Sequence, residues 1–214
     1  LEASALLDHG MDNTISDFYK LIEQFFALPL ENKLKYEVPE FAGQRGYTSF
    51  GREKAKQSEV PDLKEFWQIG QYVEGEIMPE ADYPDNMDVA ELDDFDAVGK
   101  DLYKSFEKAG AHLLRAIANY LDIEENYFAS KIKNGNSILR AIHYPPISNE
   151  PKSALRAEQH EDINLITLLV GASADGLQLL TREGNWVDVK AGPGQIVVNV
   201  GDMLQRLTNN VLRS

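Results

Sequence analysis

Residues 157–170 read Ala157-Glu158-Gln159-His160-Glu161-Asp162-Ile163-Asn164-Leu165-Ile166-Thr167-Leu168-Leu169-Val170. The second half, Asn164 onward, is the most strand-like run in the chain, and a histidine and a carboxylate two positions apart stand just before it. In an extended segment, side chains at i and i+2 point to one face. An imidazole nitrogen and a carboxylate oxygen can therefore converge on one metal ion from the mouth of a barrel. That is two-thirds of the 2-His-1-carboxylate arrangement, which binds non-haem Fe(II) and keeps three coordination positions open. His-x-Asp by itself is a common pattern, so the rest of the chain has to supply the context.

Composition narrows the choices. At 214 residues, the chain suits one sizeable domain, or one domain with a helical extension. Thirty-five acidic residues against 21 basic give a net charge of −14, which disfavours nucleic acid or an anionic membrane as partner. There is no cysteine, so a transition-metal site here must use imidazole and carboxylate. No apolar run approaches the length of a membrane span, and residues 1–10 lack the basic start and apolar centre of a signal peptide. These features predict a cytoplasmic protein. The chain starts on Leu1 rather than methionine and stops at Ser214 within an unfinished apolar-polar pattern, so both ends read as cut.

Upstream, Asn13 or Thr14 is the expected cap of a helix carrying Ile15, Phe18, Leu21, Ile22, Phe25 and Phe26 at three- and four-residue steps, with Pro29 beyond its end. His9-Gly10 ahead of it reads as a turn, with His9 structural. A second short helix is expected over 31–36. From 39 to 84 the periodicity fades, and glycines and prolines punctuate Phe41, Tyr47, Phe50, Phe66, Trp67 and Tyr72. A long irregular stretch of this kind either lines a site or folds over its own aromatics. Arg45, Tyr47, Lys64 and Trp67 are its candidate substrate contacts. Residues 88–121 predict one long helix, with His112 off its apolar stripe, and 124–132 a further turn or two.

After Asn134-Gly135-Asn136 the pattern changes to short strands. These are expected over 137–144, 164–170, 177–181, 186–189 and 195–200, separated by Pro145-Pro146, Gly176, Arg182-Glu183-Gly184-Asn185 and Gly192-Pro193-Gly194, with Gly201-Asp202 closing the last. On the first of them, Ile138, Arg140, Ile142 and Tyr144 share a face opposite Leu139, Ala141 and His143, and Arg140 is a further candidate substrate contact. Helices followed by closely spaced strands predict an α+β fold: a double-stranded β-helix, the jelly-roll or cupin-like barrel, behind an N-terminal helical layer. The expected division is 1–134 helical with substrate-side loops and 135–214 jelly-roll core, acting as one structural unit.

The strand half resembles the family of isopenicillin N synthase and the related Fe(II)/2-oxoglutarate-dependent dioxygenases. The resemblance rests on Leu139-Arg140-Ala141-Ile142-His143-Tyr144-Pro145-Pro146, His160-Glu161-Asp162 with Leu165-Ile166-Thr167-Leu168-Leu169, Gly176-Leu177-Gln178-Leu179, Gly184-Asn185-Trp186, and Val197-Val198-Asn199-Val200-Gly201-Asp202 with Thr208-Asn209-Asn210. In the first half, Asp8-His9-Gly10, Phe25-Phe26-Ala27-Leu28-Pro29 with Lys33, and Gly46-Tyr47 are similar to the family's helical region. What this resemblance implies is an enzyme with His160 and Asp162 as iron ligands and Tyr144 holding the distal carboxylate of 2-oxoglutarate. Asn199 and Asp202 would fix turn backbone. Fe(II) and 2-oxoglutarate are the implied cofactors, with O2 and a small organic molecule as the other reactants. Hydroxylation is the default outcome, and desaturation or ring closure uses the same chemistry.

The chain departs from the family pattern twice. Ile142 stands where many members have asparagine, and the second histidine ligand and the Arg-x-Ser pair are expected beyond Ser214. Two other readings stay open from sequence: an oxidase that does not use 2-oxoglutarate, and a barrel serving as a non-catalytic binding module.

Overall fold

The structure, a computed structural model, describes residues 3–52, 63–73, 75, 83–146, 159–171, 177–181, 184–189, 191–192 and 194–214. In chain order the elements are β1 (Ala3–Leu6), α1 (Asp12–Ala27), α2 (Leu30–Lys33), two 3-10 turns (Leu34–Tyr36 and Pro39–Phe41), β2 (Gly46–Thr48), β3 (Glu65–Gly70), α3 (Phe95–Tyr120), α4 (Ala129–Ile132), β4 (Ile138–His143), β5 (Ile166–Val170), β6 (Gln178–Leu180), β7 (Trp186–Asp188), β8 (Ile196–Val200) and α5 (Asp202–Leu207). They gather into two units, Asn13–Gln159 and Leu1–Asp12 with His160–Ser214. Helices and antiparallel sheets are both present, as an α+β chain requires. The expected turn residues Gly176, Arg182, Glu183 and Pro193, and the stretch 147–158, lie outside the described residues.

The larger unit packs α1 and α3 on an antiparallel sheet of order β2-β3-β4. Phe18, Ile22 and Phe25 recur every three or four residues on α1 and are buried, because that spacing puts them on one helical stripe. Phe25 is fully buried and makes edge contacts with Trp67 (4.8 Å between ring centroids), Tyr47 (5.7 Å) and Tyr36 (6.0 Å), while Trp67 meets Phe95 at 5.1 Å. Each such pair adds about 0.5–1.5 kcal/mol beyond the area it buries. Helix α3 comes close to the sheet at Gly99, where a β-carbon would lie 2.7 Å from Ile69 Cδ1.

In the other unit β8 is the central strand of a sheet of order β1-β8-β5, with Ala3 and Thr167 both opposite Asn199, and β6 and β7 form a separate hairpin. Ile196, Val197, Val198, Leu204 and Leu212 are its buried apolar residues from β8 onward.

Several expectations are corrected. The stretch 39–84 is not irregular throughout, since it supplies β2 and β3. All six residues of β3 are buried, so no polar face breaks the run into the alternation that marks a half-buried strand. The helix expected over 88–121 starts only at Phe95, preceded by Asp94 with φ 63 and a turn in which Leu92 N–H donates to the Val89 carbonyl. Helix α1 opens at Asp12, ahead of Asn13 and Thr14. Within 124–132 only 129–132 is α-helical. Strand β1 and helix α5 are additions to the expected elements. The Ala3–Leu6 run is too short and too uniformly small or apolar for its period to be read, and α5 starts at Asp202, which reads from sequence only as a strand end.

Candidate functional site

The segment entering β5 carries the His160–Asp162 pair. His160 Nε2 lies 3.6 Å from Asp162 Oδ1, with the histidine side chain largely exposed and the aspartate about 29% exposed. This separation lets a single cation at a bond length of about 2.1 Å touch both atoms. One imidazole nitrogen and one carboxylate oxygen also form the donor chemistry that suits Fe(II). The pair thus fits two positions of an iron site. Among the described residues, no group of three His, Cys, Asp or Glu side chains is placed to hold a metal.

The backbone around the pair is tied to the start of α5. Asp202 N–H donates to the Asp162 carbonyl (2.7 Å), Met203 N–H to the Asn164 carbonyl (3.1 Å) and Gly201 N–H to the Leu165 carbonyl (2.9 Å). Asp202 thus fixes the turn through its backbone, while its side chain pairs with Arg206. On the side-chain level, Thr167 Oγ1 donates to Asp162 Oδ2 at 2.5 Å and accepts from Asn164 Nδ2 at 2.9 Å. Asn199, directly across from Thr167, has its side-chain oxygen buried with no hydrogen-bond partner.

In the other unit the sheet β2-β3-β4 has two chemically different faces. Registry pairs Tyr47 with Trp67, Trp67 with Ala141, and Glu65 with His143, so these residues share the helix-covered face. Phe66 pairs with Ile142 and Gln68 with Arg140 on the opposite face. There the Arg140 guanidinium stacks 4.3 Å from the Phe66 ring centroid, its Nε donates to Gln68 Oε1 at 2.8 Å, and Ile142 is 40% exposed. Tyr144 follows two residues after Ile142, just past the end of β4.

The candidates upstream are more deeply placed. Trp67 is 1% exposed within the aromatic cluster, and Tyr47, equally buried, donates its phenol to Glu65. Burial, then that hydrogen bond and the nearby carboxylates, raise the Tyr47 phenol well above its usual range. Arg45 is also buried, with its terminal nitrogens donating to the Gln44 carbonyl (2.8 Å) and Asn136 Oδ1 (2.9 Å) and its guanidinium pressed against Gly70. Lys64 is buried ahead of β3. His9 is structural, its Nδ1 accepting from Met11 N–H at 3.0 Å, and His112 is exposed on α3.

Sequence reasoning passes over the buried ionic cluster on the helix-covered face. Glu65 accepts from Lys33 Nζ (2.8 Å) and from Tyr47, its other oxygen sits 2.8 Å from His143 Nδ1, and Lys33 also donates to the Phe26 carbonyl. His143 in turn stacks on Phe26, 5.0 Å between centroids. The role of Thr167 is missed as well. From sequence it reads only as a strand residue, and its spacing of five from Asp162 is the one signal that could have pointed to it.

Comparison with known proteins agrees with this chemistry. Residues 5–91 match the family model described as non-haem dioxygenase in morphine synthesis N-terminal, and residues 135–214 match the 2OG-Fe(II) oxygenase superfamily. The chain is 35% identical over 213 residues to the proline hydroxylase buaE of Petromyces alliaceus, covering 95% of this chain and 65% of that protein. Among solved structures, a 2OG-Fe(II) oxygenase family protein from Caulobacter crescentus is 42% identical with a TM-score of 0.88, covering all of this chain and 69% of that one. A full-length Neurospora crassa protein in complex with alpha-KG is 31% identical with a TM-score of 0.81, covering all of this chain and 67% of that one. The chain belongs to the 2OG-Fe(II) oxygenase superfamily, whose cofactors are Fe(II) and 2-oxoglutarate. It spans less than two-thirds of the length of its curated relatives, 65% of the proline hydroxylase and 64% of the dioxygenase htyE of Aspergillus rugulosus among them.

Proposed function

We propose that this chain carries part of the iron and co-substrate site of an oxygenase that uses Fe(II), 2-oxoglutarate and O2 to oxidise a small organic molecule. The observation that carries the reading is the 3.6 Å convergence of His160 Nε2 and Asp162 Oδ1. In this reading the strands belong to a jelly-roll, with 1–134 as its helical layer and 135–214 its core, and the two act as one structural unit. A dry interior lined by strand faces is the feature such a barrel offers to oxidative chemistry.

Bound Fe(II) supplies the coupling of O2 activation to oxidative decarboxylation of 2-oxoglutarate, the step that protein side chains cannot perform. His160 and Asp162 hold two coordination positions, and the remaining protein donor is a further histidine, as the family resemblance implies. The Tyr144 phenol donates to the distal carboxylate of 2-oxoglutarate and orients it. Arg140, on the same strand face, offers a guanidinium to the substrate side, and the Phe66 ring and Gln68 amide hold it in place. Tyr47 and Trp67, expected as substrate contacts, are buried on the helix-covered face and fix the strands whose other face carries Arg140, while Arg45 is buried against Gly70 and Asn136.

Two relatives support a small-molecule substrate: one is named a proline hydroxylase, and the Neurospora crassa protein has been solved in complex with alpha-KG and thymine. The charge of −14 argues against a nucleic-acid partner. No helix among the described residues is long and apolar enough to cross a membrane, and we place the protein in the cytoplasm.

The test is succinate formation from 2-oxoglutarate by the full-length protein with Fe(II). His160→Ala and Asp162→Ala are expected to lose both turnover and metal binding with an unchanged far-ultraviolet circular dichroism spectrum. Normal turnover in either variant overturns the assignment. O2 consumption without 2-oxoglutarate consumption identifies the oxidase alternative, and bound iron without any turnover identifies a binding module.

A further inference from the structure

We infer that Thr167 is the positioning residue for the iron-binding carboxylate, holding Asp162 so that only Oδ1 faces the metal. The inference rests on the iron reading of His160 and Asp162 and adds a residue to it.

A carboxylate has two equivalent oxygens and turns readily about its Cβ–Cγ bond. Left alone, Asp162 could present either oxygen, or both, to a cation. In the structure the two oxygens are already distinguished: Oδ2 accepts from Thr167 Oγ1 at 2.5 Å, and Oδ1 is the atom 3.6 Å from His160 Nε2. The bond length is that of a hydroxyl donating to an ionised acceptor, the stronger class of hydrogen bond.

The direction of that bond is fixed by its neighbour. A threonine hydroxyl has one proton and two lone pairs, and an ionised carboxylate can only accept. Asn164 Nδ2 donates to Thr167 Oγ1 at 2.9 Å, filling a lone pair and leaving the single proton for Asp162. The result is a directed relay from the Asn164 amide through the Thr167 hydroxyl to Asp162 Oδ2.

Both ends of the relay are anchored in backbone. Thr167 lies within β5, paired with Asn199 of the central strand β8. Asn164 and Asp162 each give their carbonyl to a backbone N–H at the start of α5, from Met203 and Asp202. The hydroxyl therefore sits at a fixed point against which the carboxylate plane is set. Support of this kind orients a ligand before the metal arrives, and losing it typically costs 10–100-fold in metal affinity.

A purely structural role for Thr167, closing the turn before β5, predicts a loss of stability and nothing more. Metal affinity separates the two. In the full-length protein, Co(II) is titrated under anaerobic conditions and followed by its visible absorption, which reports coordination number, for wild type, Thr167→Val, Thr167→Ser and Asn164→Ala.

Thr167→Val keeps the shape and β-branching but removes the donor. It is expected to weaken Co(II) binding about tenfold or more and to alter the absorption band as Asp162 turns. Thr167→Ser keeps the hydroxyl and is expected to restore wild-type affinity to within about threefold, even though it removes a methyl group. Asn164→Ala, which frees the hydroxyl to point elsewhere, falls between them. Unchanged affinity and spectrum in folded Thr167→Val overturn the inference. If Thr167→Val does not fold, the Ser and Ala variants decide: weakened binding in Thr167→Ser together with wild-type binding in Asn164→Ala overturns it. Wild type binding no Co(II), or binding it equally well as His160→Ala, overturns the iron reading itself and is told apart from failure of the relay alone.

Discussion

His143 Nδ1 lies 2.8 Å from Glu65 Oε1, and the two residues are direct cross-strand partners of β4 and β3. Their contact joins the strand that leads into Tyr144 to a carboxylate that also receives Lys33 and Tyr47. Three donors from α2, β2 and β4 thus meet on one anion of β3. The strand that leads into the candidate co-substrate residue is held on its helix-covered face by charge as well as by apolar packing.

Removing that anion should be expensive. Glu65 and Lys33 are both buried, and deleting one partner of a buried pair leaves the other charge uncompensated, a cost of about 3–5 kcal/mol. Glu65→Ala in the full-length protein is expected to lower the urea unfolding free energy by about that amount. The double variant Lys33→Met with Glu65→Leu is expected to recover most of it, since no charge is then left alone. Equal losses in the single and double variants would show that packing, not charge pairing, sets the stability of this corner.

The same carboxylate gives the stability a pH dependence with a definite sign. Burial acts to raise the Glu65 pKa, but hydrogen bonds from Lys33, Tyr47 and His143, and the Lys33 charge, outweigh it and hold the group below its usual 4.5. A carboxyl group depressed on folding stabilises the native state at pH values above its unfolded pKa. That contribution is lost as the pH falls through the folded value. Unfolding free energy is therefore expected to fall as pH drops below about 4.5, and Glu65→Gln should flatten this part of the profile. Parallel profiles for wild type and Glu65→Gln between about pH 5 and 3 would assign the acid sensitivity to other carboxylates.

These buried ions mark where the sequence is hardest to read. The approach of His160 to Asp162 is legible because i and i+2 of an extended segment share a side, even though β5 itself begins only at Ile166, and α1 is legible because Phe18, Ile22 and Phe25 show its period. Strand β3 is not, since burial on both faces leaves Glu65-Phe66-Trp67-Gln68-Ile69-Gly70 without alternation. With β3 unrecognised, nothing places Glu65 opposite His143, and Tyr47 and Trp67 cannot be assigned to the helix-covered face. Lys33 and Glu65 are 32 residues apart, a contact that only the tertiary fold creates. Thr167 is hidden differently, because a β-branched residue in a strand needs no further explanation.

Tyr144 follows β4 directly, one residue beyond His143, and is the proposed donor to the distal carboxylate of 2-oxoglutarate. A hydrogen bond to a charged group contributes about 1.5–3 kcal/mol, so Tyr144→Phe should raise the KM for 2-oxoglutarate roughly 10- to 100-fold. The KM for the organic substrate should change much less. Steady-state kinetics with each reactant varied in turn reads both numbers. An unchanged requirement for 2-oxoglutarate would remove Tyr144 from the co-substrate site.

Gly201 joins β8 to α5 at a point where backbone comes within contact of backbone. Its φ of −96° is open to any residue, so the demand is for space rather than for conformation. A β-carbon there would sit 2.7 Å from the Asn164 carbonyl carbon and closer still to its oxygen. Gly201→Ala must therefore push the Asn164 segment away, at about 1–3 kcal/mol for an overpacked position. Asn164 is also the donor to Thr167, and the neighbouring Asp202 N–H holds the Asp162 carbonyl. The variant is thus expected to lose Co(II) affinity together with thermal stability. Gly184→Ala is the control: with φ 81° and nothing within 4 Å of the added carbon, it carries only the left-handed backbone cost of about 1–2 kcal/mol and should bind Co(II) as wild type does. Thermal unfolding and Co(II) titration of both variants make the comparison, and equal metal affinity in the two would mean that the Asn164 segment can shift without disturbing Asp162.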